Sequence, residues 1–187
     1  MKRRHLLAAT LAVAAFTAAA QAPAPRVALE TSEGKIVVEL APQAAPKTVE
    51  NFLAYVKSGH YDGTVFHRAI PGFMVQGGGF TGDMKEKPTR GTIPLESRNG
   101  LKNERGTLAM ARRGDPDSAS AQFFINVVDN ANLDYPKPDG NGYAVFGKVV
   151  EGMDVVDKIR AAPTASRGPH QNVPVAPITI KTARIVK

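Results

Sequence analysis

From residue 26 onward, apolar and polar positions alternate. Residues 27–31 (Val-Ala-Leu-Glu-Thr) and 35–40 (Lys-Ile-Val-Val-Glu-Leu) are β-rich runs joined by Ser32-Glu33-Gly34, which predicts a first hairpin. The period then changes. Pro46 suits the first turn of a helix, and Val49, Phe52, Leu53 and Val56 recur at i, i+3, i+4 and i+7, so one helix ending at Gly59 is expected. Beyond Gly59 the apolar runs are short and Gly, Pro, Asn and Asp clusters punctuate them densely. Strands are predicted over residues 64–70, 73–76, 106–111, 122–127, 143–150 and 178–186. A second short helix is expected over 153–160, with Val155, Val156 and Ile159 as its apolar face. Segment 161–177 carries four prolines and reads as a long surface loop. Many short strands with dense turn signals and no internal repeat make a closed or nearly closed antiparallel barrel, a mainly β fold, the economical architecture.

The first residues follow another pattern. Met-Lys-Arg-Arg-His precedes an apolar run over residues 6–20 that ends Ala18-Ala19-Ala20, and a basic start, short apolar stretch and small-residue end read as a secretory signal peptide over residues 1–20. The run is shorter than the ~20 apolar residues that span a bilayer, so no stable membrane insertion is expected. Arg3-Arg4 is compatible with twin-arginine export, but any leader carries such a basic pair and the ordinary secretion route is favoured. Residues 21–26, beginning Gln-Ala-Pro-Ala-Pro, read as a Pro-rich tether, and 27–187 as one domain. Cleavage after Ala20 leaves 167 residues, enough for one core, and lowers the formal charge from +7 to +4. No basic stripe is dense enough to make nucleic acid an expected partner. Without cysteine there is neither a lipoprotein attachment site nor a disulfide framework.

Candidate chemistry concentrates in residues 65–79. Arg68 stands there among Phe66, Phe73 and Met74, with an amide at Gln76 and a glycine run behind. An arginine is almost never fully buried without a partner, so this mixture suits a shallow apolar pocket with one fixed donor at its edge better than a core strand. Other signals fail. Gly77-Gly78-Gly79-Phe80-Thr81-Gly82 matches a dinucleotide fingerprint by letter, but Asp-Met-Lys-Glu-Lys-Pro follows where a helix would have to open. His5 falls in the leader, and His60, His67 and His170 stand alone in different segments, so no metal site or cofactor is expected. Ser118 and Ser120 lie in a Gly/Ala/Asp loop with no nucleophile elbow, which disfavours hydrolase chemistry. A second stretch is similar in kind to the first. In Ser120-Ala121-Gln122-Phe123-Phe124-Ile125-Asn126, strand alternation sets Gln122, Phe124 and Asn126 on one face and Phe123 and Ile125 on the other.

Phe66-His67-Arg68, Pro71-Gly72-Phe73-Met74-Val75-Gln76-Gly77-Gly78, Met110-Ala111, Ser120-Ala121-Gln122-Phe123-Phe124-Ile125 and Val145-Phe146-Gly147-Lys148-Val149 together resemble the cyclophilins, the cyclosporin-binding peptidyl-prolyl cis-trans isomerases. The likeness runs in order from about residue 27 to residue 187. With the leader, the 142–147 run and the 169–174 loop, the chain is most similar to periplasmic cyclophilins of Gram-negative bacteria. The resemblance implies a closed eight-stranded antiparallel β-barrel capped by two α-helices, with a groove on the barrel's outer face. It further implies that Arg68 is the catalytic cation and that Phe73, Met74, Phe124 and Leu133 line a proline pocket. Gln76, Ala111, Arg112 and Gln122 would hold the peptide backbone, and Tyr143 would close one side. Implied partners are proline-containing segments of exported proteins, bound by a monomer without cofactor.

Three positions depart from the best-known eukaryotic pattern. Asn132 stands where those relatives carry a tryptophan that contacts cyclosporin, Tyr143 where they carry histidine, and Arg112 where they carry asparagine. Weak cyclosporin binding is the expectation from the first. Arg112-Arg113 adds charge near the groove, so peptides with acidic residues beside the proline are expected to bind better. Two other classes of function remain open at this point: a holdase that grips proline-containing segments through the same groove, and an anion or membrane-surface binder resting on the modest positive charge.

Overall fold

The computed structural model describes residues 23–187; the leader read over 1–20, and Gln21 and Ala22 of the tether, lie outside the described residues. Strands β1 (Arg26–Thr31) and β2 (Lys35–Leu40) form the expected hairpin, with Val27 paired to Val38 and Leu29 to Ile36. β1 starts at Arg26, one residue earlier than the pattern suggests, because Arg26 pairs with Glu39 both in the ladder and through its guanidinium at 2.8 Å. Gly34 closes the turn at φ +134°, and its carbonyl accepts both the N–H and the hydroxyl of Thr31.

Helix α1 (Pro46–Lys57) buries Val49, Phe52 and Val56 as its spacing requires. Its N-cap, Ala45, offers no side-chain acceptor. The free N–H groups of the first turn are met from 48 residues away in sequence by Glu96, whose carboxylate accepts from the Lys47 and Thr48 amides and from the Thr48 hydroxyl. Gly59, at φ +68°, ends the helix as expected.

The remaining strands are β3 (Thr64–Ile70), β4 (Met74–Thr81), β5 (Thr107–Met110), β6 (Phe123–Asn126) and β7 (Val145–Glu151). Helix α2 (Met153–Ala161) buries Val155, Val156 and Ile159. After it come β8 (Thr164–Arg167), β9 (His170–Pro174) and β10 (Thr179–Val186). Eight strands close into an antiparallel barrel in the order β1-β10-β3-β4-β6-β5-β7-β2, and both helices pack into the same core as its interior, which holds Phe52, Phe66, Phe123, Phe146, Val156 and Ile159.

Two segments differ from the sequence reading. The proline-bearing stretch 161–177 is not a plain loop: β8 and β9 pair as a separate two-stranded sheet, Thr164 facing Pro174 and Arg167 facing His170, and Val173 and Pro174 are buried. Proline ends that ladder without breaking it. The glycine run 77–79 lies inside β4, where the ring of Tyr61 would stand 2.8 Å from a Cβ on Gly78, closer than real Cβ contacts come, Phe66 crowds Gly77 at 3.1 Å, and Gly78 adopts φ +86°.

Candidate active site

A second apolar cluster, separate from the barrel interior, sits on the outer face of the wall. It comprises Met74, Ala109, Phe124, Leu133 and Val145, with Ile70, Phe73, Ala111 and Tyr143 packed against it. Strand alternation explains the division on β6, where Phe123 and Ile125 point into the core and Phe124 points out. Met110 turns inward and its neighbours Ala109 and Ala111 outward by the same rule.

Alternation alone would not deliver Arg68. It would set Phe66 and Arg68 on one face, yet Phe66 is a core residue. The ladder shows the reason: Phe66 pairs with Gly77 and Arg68 with Gln76, so two residues of β3 oppose one step of β4. That bulge returns Phe66 and Ala69 to the core while His67 and Arg68 both lie on the outer side. Arg68 is thereby aligned across the sheet. Its partner Gln76 pairs with Phe124, Phe124 with Ala109, and Ala109 with Val145, so one cross-strand row over five strands carries the cation, an amide and the apolar floor.

These residues bound a hollow of about 110 Å³. Its apolar walls are Phe73, Met74, Phe124, Leu133 and Tyr143, and its polar edge is Arg68, Gln76, Ala111 and Arg112. Nine of the ten side chains singled out in the sequence thus meet at one place. The tenth, Gln122, is next to it and accepts a hydrogen bond from Gln76 Nε2 at 2.9 Å. Gln76 and Gln122 are shared by two wider, more polar depressions of about 360 and 430 Å³ on either side, making one continuous groove. The small hollow is the one that joins the apolar cluster to a cation.

The two arginines of the edge differ in state. Arg68 is partly buried, and among the described residues its guanidinium enters no ion pair or side-chain hydrogen bond. Arg112 is fully engaged: its side chain is 2% exposed, its Nη2 donates to both oxygens of Asp139 at 2.8 and 2.7 Å, its Nε donates to the Gly142 carbonyl at 3.0 Å, and its guanidinium lies over the Tyr143 ring at 4.6 Å. The same contact holds the Asp139 carboxyl below the usual carboxylate range. The charge that the sequence reading assigned to acidic peptides through Arg112 is therefore neutralised in place. Arg113, 84% exposed and 4.0 Å from Glu86, is the freer of the pair.

The histidines are not isolated. His67 and His170 meet Phe80 edge-on from β3 and β9, with ring centroids 4.7 and 4.9 Å away, and so hold the β8–β9 hairpin beside Arg68. His67 is buried with an unpartnered Nδ1, and burial first, then the nearby His170, push its pKa down to about 4. His60 is packed on Tyr55 and Tyr61, with Nε2 at 3.1 Å from the Gly78 carbonyl.

Sequence reasoning missed Asp139, which stands in a Pro-Asp-Gly-Asn-Gly run and reads as turn punctuation. It also missed Gly79, behind Gln122, and the small cluster members Ala109 and Val145. The two-residue spacing from Ala109 to Ala111 was the one available signal for Ala109.

The cyclophilin type peptidyl-prolyl cis-trans isomerase family model matches residues 26–185. Among similar proteins, a peptidyl-prolyl cis-trans isomerase of Streptomyces antibioticus is 60% identical over 86% of this chain and 98% of its own length. Peptidyl-prolyl cis-trans isomerase A of Dickeya dadantii is 54% identical over 98% of each chain. Among solved structures, a cyclophilin type isomerase of Cryptosporidium parvum superposes with a TM-score of 0.73 at 28% identity, covering 88% of this chain and 98% of its own. A match over nearly the whole described domain, on a closed barrel with two helices, settles the assignment: this chain belongs to the cyclophilin-type peptidyl-prolyl cis-trans isomerases, and it is an enzyme of that class.

Proposed function

We propose that the hollow beside Arg68 is where the X-Pro bond is turned, and that the clients are exported proteins folding in the periplasm. The observation that carries this reading is the position of Arg68, a guanidinium that enters no ion pair among the described residues, at the edge of an apolar hollow of about 110 Å³. A solved structure of the Cryptosporidium parvum isomerase obtained in the presence of the dipeptide Ala-Pro, with a TM-score of 0.71 to this chain at 28% identity, supports a prolyl ligand.

The chemistry follows from the bond. Resonance gives the peptide C–N bond a rotation barrier of ~18–20 kcal/mol, and X-Pro isomers, though comparable in energy, exchange over tens to hundreds of seconds. Twisting the bond ends the conjugation and leaves a localised lone pair on the prolyl nitrogen. A guanidinium donor at that nitrogen binds the twisted state better than the planar one, and this difference is catalysis. Arginine suits the role because its planar fork of donors stays charged at physiological pH.

Phe73, Met74, Phe124, Leu133 and Tyr143 hold the prolyl ring by exclusion of water. Gln76, Gln122 and the main chain of Ala111 and Arg112 hold the flanking backbone so that rotation is confined to one bond. The Ala111 N–H already donates to the Gln122 carbonyl at 3.0 Å, which leaves the Ala111 carbonyl for a peptide N–H. No covalent intermediate forms and no group changes protonation.

Titration with a short Ala-Pro peptide, followed by NMR, tests the site. Shifts concentrated at Phe73, Phe124, Leu133 and Tyr143 support it; shifts elsewhere with these unmoved refute it. The periplasmic role rests on the leader read over residues 1–20. N-terminal sequencing of the exported protein should find Gln21 first, and recovery of an uncleaved chain from the cytoplasm alone would contradict export.

A further inference from the structure

Leu133 and Tyr143, two walls of the hollow, come from one irregular segment outside the barrel strands. Their backbones are joined, Tyr143 N–H donating to the Leu133 carbonyl at 2.9 Å. Between them the chain makes an excursion through Asp139, an exposed stretch in which Pro136, Lys137, Pro138 and Gly140 supply no apolar anchor. Its two ends are held elsewhere, Asp134 by Asn103, Tyr135 under the Arg98 guanidinium and the Asn141 carbonyl by the Ser97 hydroxyl, and Arg112, the second residue past the end of β5, ties its middle to the sheet beside the hollow. It grips both carboxylate oxygens of Asp139 and the carbonyl of Gly142, and its face covers the Tyr143 ring. The Tyr143 ring in turn meets Phe124 edge-on, with centroids 5.7 Å apart and planes at 78°.

We propose that Asp139 and Arg112 are positioning residues that set the width of the hollow by fixing the Tyr143 ring against Phe124. The proposal rests on the reading of that hollow as the prolyl site. A cation at 2% exposure needs its charge met; both Asp139 oxygens accept from Nη2 while the Gly142 carbonyl accepts from Nε, and the two anchors together fix the guanidinium plane. In that orientation the guanidinium plane is also the backing of Tyr143. Asp139 therefore acts on substrate through two intermediaries and never touches it. Weakening the pair lets Tyr143 move away, and the hollow loses grip on the prolyl ring equally in the planar and twisted states. The expected signature is a raised KM with kcat retained, since uniform binding is what is lost. It differs from the signature of Arg68, whose interaction is with the twisted state.

The test compares Asp139→Asn, Asp139→Glu, Arg112→Lys and Phe124→Ala with the unmodified protein. It measures kcat and KM on an Ala-Pro peptide, and the NMR ring-current shifts at Phe124. Asp139 is 40% exposed, so Asn fits without touching the core. Asp139→Asn should raise KM roughly fivefold with kcat within about twofold, and should move the Phe124 shifts. Arg112→Lys should do the same, because an ammonium cannot reach Asp139 and the Gly142 carbonyl from two separate nitrogens and has no plane to back Tyr143. Asp139→Glu, which keeps the carboxylate on an exposed loop, should restore KM to within about twofold of the original.

Unchanged KM and unmoved Phe124 shifts in both Asp139→Asn and Arg112→Lys, with Phe124→Ala raising KM, would overturn the positioning role and leave the site standing. A fall in kcat at constant KM would overturn it too. If Phe124→Ala itself leaves KM unchanged, the hollow is not the prolyl site and the proposal falls with that reading.

Discussion

Gly79→Ala is a substitution outside the hollow that should nonetheless impair the enzyme. A Cβ built on Gly79 would stand 2.5 Å from Gln122 Cγ, 2.6 Å from Cδ and 2.7 Å from Nε2, distances real Cβ contacts do not reach. The backbone at Gly79 is not in the left-handed region, so alanine brings no backbone strain of its own, and it narrows the unfolded ensemble by about 0.4–1 kcal/mol. The flexible Gln122 side chain must move. Moving it breaks the 2.9 Å hydrogen bond with Gln76, the residue that pairs across the sheet with Arg68. A lost hydrogen bond of this kind is worth about 0.5–1.5 kcal/mol net, so kcat/KM on an Ala-Pro peptide should fall roughly 2- to 13-fold. The melting temperature should shift by no more than a few degrees. The cause is checked by combination. In a Gln122→Ala background the crowding partner is gone, so adding Gly79→Ala should change log kcat/KM by the equivalent of less than about 0.3 kcal/mol. Additive losses, or full activity in Gly79→Ala alone, would refute the reasoning.

Four further outcomes follow from the same geometry. The imidazole of His67 has its pKa depressed to about 4 in the folded state against an ordinary value of 6.5. Between those values the unfolded chain binds more protons, so this stability contribution is present above pH 6.5 and is lost as pH falls toward 4. Its size is on the order of 3 kcal/mol; urea unfolding from pH 7 to pH 4 should show a smaller loss in His67→Phe, and equal slopes would count against it. Because no proton moves in the mechanism, turnover of the folded enzyme should stay flat from mildly acid to mildly alkaline pH, and an inflection within that range would show that a titrating side chain takes part. Asn132, exposed beside Leu133, should make cyclosporin a weak inhibitor, so Asn132→Trp should inhibit at markedly lower cyclosporin concentration; equal inhibition of both forms would remove that role from position 132. Preference for acidic residues beside the proline, if carried by charge, should vanish in Arg113→Ala and at high salt, since Arg112 is neutralised by Asp139.

The parts of the fold that were legible in the sequence are those encoded locally. The hairpin of β1 and β2, the apolar stripe of α1 and the alternation of Phe123 and Phe124 each depend on spacing within a few residues. The site residues were legible through resemblance, and the structure brings nine of them to one hollow with Gln122 adjoining. What was not legible depends on pairing between distant segments. The bulge that turns Arg68 outward exists only in the register of β3 against β4. Glu96 meets the N-terminus of α1 from 48 residues away, and Asp139 meets Arg112 across 27. The β8–β9 hairpin was hidden by its prolines, which suggested a loop although they fall at ladder ends and turns. The glycine run that matches a nucleotide-binding letter pattern is strand because it pairs with β3 and β6, and it is glycine where Tyr61, Phe123 and Gln122 approach its backbone.

The most direct test of the account is the cis-to-trans rate of a short Ala-Pro peptide with the mature protein and with Arg68→Ala, alongside the affinity of each folded form for the peptide. The account predicts strong acceleration by the unmodified enzyme and its loss in Arg68→Ala, with peptide affinity retained, because the guanidinium acts on the twisted state and the apolar walls hold the ring. Undiminished acceleration by Arg68→Ala, or an affinity that falls in step with the rate, would contradict it.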